Sequence, residues 1–226
     1  MIVLNYPNNP TGKILHIELV ESIMETAKKH DLYVLSDEIY SEYALPFFPT
    51  QSNDLTGVDL HSILKWHYEK SIITQSFSKS HAMTGYRIGW VVAEPSIIEK
   101  MSKLQALSLT NVSEPIQYVA LQALNADTSG NTEIIKSRLG ALVKSAKDIG
   151  LEFIEPDGAM YLFAKTKYKN FDATKFSEKL LEHGVAIAPG EGFGDYKEFF
   201  RITAIDETRL KEGMIILDTV LKESYE

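Results

Sequence analysis

The chain has 226 residues, 44% of them hydrophobic, a formal charge of −8, 6 histidines and no cysteine. That length buries one full core and a smaller satellite domain, and the charge is spread without long like-charge runs, which excludes a nucleic-acid footprint or a polybasic membrane patch. Disulfides, thiol nucleophiles and thiolate metal sites are excluded, the histidines show no metal-ligand spacing, and no apolar stretch is long enough to cross a bilayer, so we expect a cytoplasmic protein that acts on small molecules without a metal.

The chain opens on Ile2-Val3-Leu4-Asn5-Tyr6, an apolar run that reads as a buried strand ending at Pro7, with no signal-peptide pattern or room for a leader ahead of it. Pro7-Asn8-Asn9-Pro10-Thr11-Gly12 carries turn chemistry at nearly every position, and a helical period follows over residues 18–30. Residues 32–37 and 71–77 read as two more buried strands with a loop rich in Pro and Phe between them, and residues 87–93 as a fourth. Strands separated by helical segments predict a sheet covered on both faces. Residues 96–124 read as helical, and a longer helix over 132–149 stops at Gly150. Beyond it, strand candidates at 151–155, 159–165, 185–189 and 199–204 mix with helices at 173–183 and 207–223, a second α+β unit of roughly 75 residues. The expected organisation is a large domain over 1–130, a connecting helix over 131–150 and a small domain over 151–226.

Lys79 stands in Ser76-Phe77-Ser78-Lys79-Ser80, just past an apolar strand, where open α/β sheets place their ligand crevice. Partial desolvation at such a place favours the neutral amine that Schiff-base chemistry needs, although most lysines are only surface charges. A polar, small-residue loop runs on to Arg87, whose guanidinium suits a phosphate beside the hydroxyls of Ser76 and Ser78; a surface ion pair with turn serines is the alternative. Asp37 ends the second strand, where an acid can hold a protonated pyridine nitrogen, and Tyr40 would share its side on a helical turn. The other reading is a helix cap and a core tyrosine. Asn9 sits in a turn stiff enough to aim its amide, or to serve as a plain connector. Arg201, inside the apolar run Phe199-Phe200-Arg201-Ile202-Thr203, needs an anionic partner, either a structural carboxylate or a substrate's.

Taken in order, Asn5-Tyr6-Pro7-Asn8-Asn9-Pro10-Thr11-Gly12, Ser36-Asp37-Glu38-Ile39-Tyr40, Ser76-Phe77-Ser78-Lys79 with Arg87, and Phe200-Arg201-Ile202 resemble the class I and II aminotransferases of pyridoxal 5'-phosphate (PLP) fold type I. The resemblance runs from Met1 to the end of the chain. It implies an α/β protein with a partial three-layer α/β/α large domain and a small α+β C-terminal domain. Lys79 is then the lysine that carries PLP and moves the substrate proton, Asp37 the partner of the pyridine nitrogen, and Asn9 and Tyr40 the partners of the phenolic oxygen. Ser76, Ser78 and Arg87 bind the phosphate, and Arg201 takes the substrate's α-carboxylate. Gly158 and Tyr161 resemble residues lining the small-domain side of the cleft. The implied reaction moves an amino group from an α-amino acid to a 2-oxo acid, in a homodimer.

The chain departs from the family at its start. Members carry a long stretch before the Asn-Pro-Thr-Gly turn, which supplies three strands of the large sheet, a loop that cradles the phosphate and an aromatic ring stacked on the pyridine. We therefore expect an N-terminally truncated form that transaminates poorly. Two other readings stay open: a PLP-dependent carbon-sulfur β-lyase, and a non-catalytic remnant that serves as a binding or assembly module.

Overall fold

The computed structural model describes residues 1–44 and 62–225, and the chain forms two compact units. One comprises Met1–Pro7 and Ile14–Thr132, the other Asn8–Lys13 and Glu133–Glu226. The loop expected to be rich in Pro and Phe lies outside the described residues.

In the first unit β1 (Ile2–Asn5), β2 (Val34–Asp37), β3 (Ser71–Ser76) and β4 (Gly89–Ala93) make one sheet in that order. β1, β2 and β3 are parallel, and β4 runs antiparallel to β3. The connections explain the directions. Helix α1 (Ile17–Lys29) carries the crossover from β1 to β2, whereas only a 3-10 turn at Thr84–Tyr86 separates β3 from β4, and a chain without a crossover helix returns antiparallel.

The apolar stripe of α1, Val20, Ile23, Met24 and Ala27, packs on Ile2, Leu4, Val34 and Ile73. Those strand residues share one face by the two-residue period. Val3 points to the other face and is 65% exposed, so β1 is buried on one side only, not throughout as its apolar run suggests. Over β1 the expected cover on both faces is therefore incomplete among the described residues. Helix α2 (Pro95–Ser108) has no fully buried side chain, while α3 (Glu114–Ala123) brings Ala120 and Ala123 to a small cluster with Phe77, Met83 and Ile88. These two helices replace the single helical stretch expected over 96–124. The chain leaves α2 at Leu109, and Pro115, having no N–H, fits the first turn of a new helix rather than the interior of an old one.

Helix α4 (Ser129–Asp148) begins in the first unit and continues into the second. Gly150, at φ +75°, takes the left-handed conformation that ends it. The second sheet has the order β5 (Glu152–Phe153), β6 (Tyr161–Lys165), β8 (Phe199–Thr203) and β7 (Ala188–Pro189), with every neighbouring pair antiparallel. With α5 (Ala173–Glu182) and α6 (Glu207–Tyr225) it encloses Leu162, Phe176, Leu180, Phe200, Leu217 and Val220, all buried. Alternation along β6 and β8 sends Tyr161, Phe163 and Arg201 to the face opposite Leu162 and Phe200.

The turn Asn8–Lys13 belongs to this unit. Asp157 N–H donates to the Gly12 carbonyl at 2.8 Å, and the Lys13 ammonium pairs with the Asp157 carboxylate at 2.5 Å. Gly12 sits at φ +68°, and a Cβ there would lie 2.5 Å from Pro156 Cβ, so both backbone and packing demand glycine. Among the described residues no helix is long and apolar enough to cross a membrane.

Candidate active site

In the first unit the sheet register sets Asn5 opposite Asp37 and Asp37 opposite Thr74, a polar row across the C-terminal ends of the three parallel strands. Asn5 Nδ2 donates to Asp37 Oδ2 at 3.2 Å, and Thr74 Oγ1 donates to Asp37 Oδ1 at 3.2 Å. Each carboxylate oxygen is thus held by a neutral donor, and no described basic side chain forms an ion pair with it. Asp37 ends its strand without starting a helix, so the helical turn expected to align it with Tyr40 is absent: a 3-10 turn at Ser41–Tyr43 starts only after Tyr40. Tyr40 is buried nonetheless, and its ring centre lies 5.8 Å from the Lys79 ammonium.

Lys79 lies on the turn that follows β3, half-buried, and no described carboxylate forms an ion pair with its amine. Ser78 N–H donates to Ser76 Oγ at 3.1 Å, which closes the start of the turn. Thr84 Oγ1 donates to the Ser78 carbonyl at 2.9 Å, and Arg87 Nη1 donates to the Thr84 carbonyl at 2.8 Å. Thr84 thereby links Arg87 to the serine turn. Arg87 itself is exposed, at φ 54°, with no described carboxylate against it.

Arg201 and Asn9 meet in the second unit, where Arg201 Nη1 donates to Asn9 Oδ1 at 2.8 Å. The guanidinium carbon stands 4.3 Å from the Tyr161 ring centre and 5.1 Å from that of Phe193. Its Nε is buried without a hydrogen-bond partner, and no described carboxylate pairs with it. A cation bedded between two rings, with a buried N–H unspent, is chemically suited to an incoming carboxylate.

The expected residues therefore form two groups. Asp37, Tyr40, Ser76, Ser78, Lys79 and Arg87 gather on β2, β3 and the turns that follow them, and Asn9 gathers with Arg201. Gly158 is buried beside Tyr161 and Gly12, its carbonyl 3.0 Å from where a Cβ on Gly12 would stand. Asn5 and Thr74, which hold Asp37, and Phe193, which beds Arg201, escape a reading of the sequence. Asn5 and Thr74 do carry a signal, since each is polar near the end of an apolar run, but only the register shows that they flank Asp37.

Known proteins resemble the chain in sequence and fold. The aspartate aminotransferase of Thermotoga maritima is 34% identical over 85% of this chain and 48% of its own length. That of Pyrococcus horikoshii is 36% identical over 98% of this chain and 56% of its own, and aromatic-amino-acid aminotransferase 2 of Thermococcus litoralis is 33% identical over 98% and 57%. The crystal structure of the Thermotoga enzyme superimposes with a TM-score of 0.85 at 34% identity, over 97% of this chain and 56% of that one. The chain spans about half the length of the curated relatives it matches. Its α/β architecture is theirs, and the family model for aminotransferase class I and II matches residues 1–215, so the chain belongs to that family.

Proposed function

We propose that this chain carries the cofactor-holding and carboxylate-binding residues of a PLP-dependent aminotransferase, which moves an amino group between an α-amino acid and a 2-oxo acid. The observation that carries the reading is the placement of Asp37 and Lys79 at the same end of two adjacent parallel strands, one a carboxylate held by neutral donors, the other an amine with no described counter-ion. The donor set fits PLP: an amine for its aldehyde, a carboxylate for its ring nitrogen, and a guanidinium with serine hydroxyls for its phosphate. When bound, PLP supplies a ring that accepts the electrons left behind when the substrate's α-proton departs.

The protein's own residues do the rest. Asp37 keeps a proton on the ring nitrogen, and its bonds to Asn5 and Thr74 hold it in place for that. Lys79 moves a proton between the substrate α-carbon and the cofactor C4′. Arg87, Ser76 and Ser78 hold the phosphate, and Tyr40 and Asn9 serve the phenolic oxygen. Arg201 takes the substrate's α-carboxylate, and its unspent Nε supports that role. The proposal includes a homodimeric assembly, a cytoplasmic location and a division into domains at 1–130, 131–150 and 151–226.

The test is to incubate the purified chain with PLP, reduce with borohydride and map the pyridoxyl label. Label on Lys79 in preference to the other lysines is expected. Uniform or absent labelling overturns the reading. Given an amino acid and 2-oxoglutarate, a new amino acid supports transamination, whereas pyruvate and ammonia identify a β-lyase.

A further inference from the structure

Lys79 projects from a turn, and a turn lacks the ladder of hydrogen bonds that fixes a strand. Three successive carbonyls of this turn are nevertheless each held by a side chain. Ser78 accepts from Thr84 Oγ1 at 2.9 Å, Lys79 from the Tyr43 hydroxyl at 2.6 Å, and Ser80 from Asn131 Nδ2 at 2.8 Å. The donors come from the loop itself, from the 3-10 turn after Tyr40, and from the first turn of α4. The Tyr43 bond is the shortest of the three, and Tyr43 is only 5% exposed.

Tyr43 is itself held in place. Gln75 Nε2 donates to the Glu38 carbonyl at 2.7 Å and to Ser41 Oγ at 3.0 Å, and Thr128 Oγ1 donates to Glu42 Oε2 at 2.8 Å. Burial, seconded by the neighbouring Glu42 charge, pushes the Tyr43 phenol above its ordinary value of 10.0, so it remains a donor at any working pH. The Lys79 carbonyl also accepts from Ala82 N–H at 3.1 Å, and the two donors together use both of its lone pairs.

We propose that Tyr43 is a positioning residue for Lys79: its hydroxyl, with Asn131 on the next carbonyl, fixes the peptide from which the amine is projected. The inference rests on Lys79 being the cofactor lysine. A reacting amine held to within about half an ångström keeps its rate, and a loosened one loses it.

The experiment uses the whole chain, with Tyr68→Phe as a matched control. The Tyr68 hydroxyl also bonds backbone carbonyls of the first unit, that of Leu32 at 2.9 Å and that of Ala27 at 3.3 Å, but none in the Lys79 turn. The readout is the rate at which PLP joins Lys79: the amine adds to the aldehyde, water leaves, and borohydride delivers hydride to the resulting carbon-nitrogen double bond. Thermal midpoints are measured alongside. Tyr43→Phe is expected to slow labelling of Lys79 about tenfold, and Asn131→Ala about threefold. Tyr68→Phe is expected to label at the parent's rate even where its midpoint falls. Equal rates for Tyr43→Phe and parent overturn the proposal, as does equal slowing by Tyr68→Phe, which marks a purely structural effect. If Tyr43→Phe fails to fold, Asn131→Ala at the parent's rate overturns it alone. A parent chain that does not label at Lys79 removes the proposed function and this inference together, whereas a parent that labels well beside an equally fast Tyr43→Phe removes only this inference.

Discussion

Asp37 and Arg201 are both half-buried charges on four-stranded sheets, and the two units treat them in opposite ways. The first unit gives Asp37 one neutral donor for each oxygen. The second gives Arg201 one neutral acceptor and two aromatic faces, and leaves its Nε without a partner. The carboxylate is satisfied before any ligand arrives. The guanidinium is not, and a carboxylate bound there would relieve the cost of that burial. One unit holds a preset group in place, and the other leaves a buried N–H unspent.

The largest expected effect sharpens the first half of that comparison. Lys79→Ala should abolish both the visible absorption of bound PLP and the borohydride label, while the unfolding free energy changes by no more than about 0.5 kcal/mol, since a turn lysine without a described ion partner adds little to packing. A label that persists at the same level would place the chemistry on another lysine. Next in size is Gly12→Ala, which forces a Cβ to 2.5 Å from Pro156 at a φ of +68°. It should destabilise the second unit by about 3 kcal/mol in denaturant melts.

Arg201→Lys should weaken binding of a 2-oxo acid such as 2-oxoglutarate by about tenfold, because a point ammonium cannot offer two parallel N–H bonds. Equal affinities would show that Arg201 is structural. Stability separates the two charges more directly. Asp37→Ala removes the carboxylate that accepts from Asn5 and Thr74 and should cost about 1 kcal/mol. Arg201→Met gives up the bond to Asn9 but also removes an unsatisfied buried donor, and should cost less than Asp37→Ala. If Arg201→Met proved the more harmful change in urea melts, the contrast between the units would collapse.

Much of this was legible in the sequence, and what was hidden shares a physical cause. Asp37 and Lys79 could be found because each lies where an apolar run gives way to polar residues, and Arg201 because a charge interrupts Phe199 to Thr203. The break between α2 and α3 also has its signals, Asn111, Ser113 and Pro115, masked by the apolar residues on either side. Period-two alternation shows that Val3 faces away from Leu4 but not whether anything covers it. Asn5, Thr74, Tyr43 and Asn131 act through partners distant in the chain, such as a carbonyl 36 residues from Tyr43. No local pattern encodes those distances. Side-chain bonds between residues remote in the chain are set by the packed fold, and they hold both the Asp37 carboxylate and the Lys79 turn.

The smallest expected effect compares helix caps in the two units. Asp172 caps α5 by accepting from Thr174 N–H at 3.1 Å and Lys175 N–H at 3.0 Å, and in the first unit Asp127 accepts from Ser129 N–H at 2.9 Å where α4 begins. The bond from Lys175 N–H is the main reason the Asp172 carboxyl titrates below its ordinary value. A pKa lowered by folding means that the charged form is favoured in the native state, so its contribution is present above the unfolded value near 3.9 and is lost as pH falls through the lower folded one. Asp172→Ala should cost about 1 kcal/mol at pH 7 in urea melts, and that gap from the parent should narrow at pH 3. Asp172→Asn keeps an accepting oxygen and should stay close to the parent at pH 7 without the acid-dependent loss. Asp127 is lowered by Ser129 in the same sense but is fully exposed, so Asp127→Asn should change the acid response less than Asp172→Asn does. A gap for Asp172→Ala that stays constant from pH 7 to pH 3 would mean that α5 is held by the packing of Phe176 and Leu180 on the second sheet, with the charge at its N-terminus adding nothing.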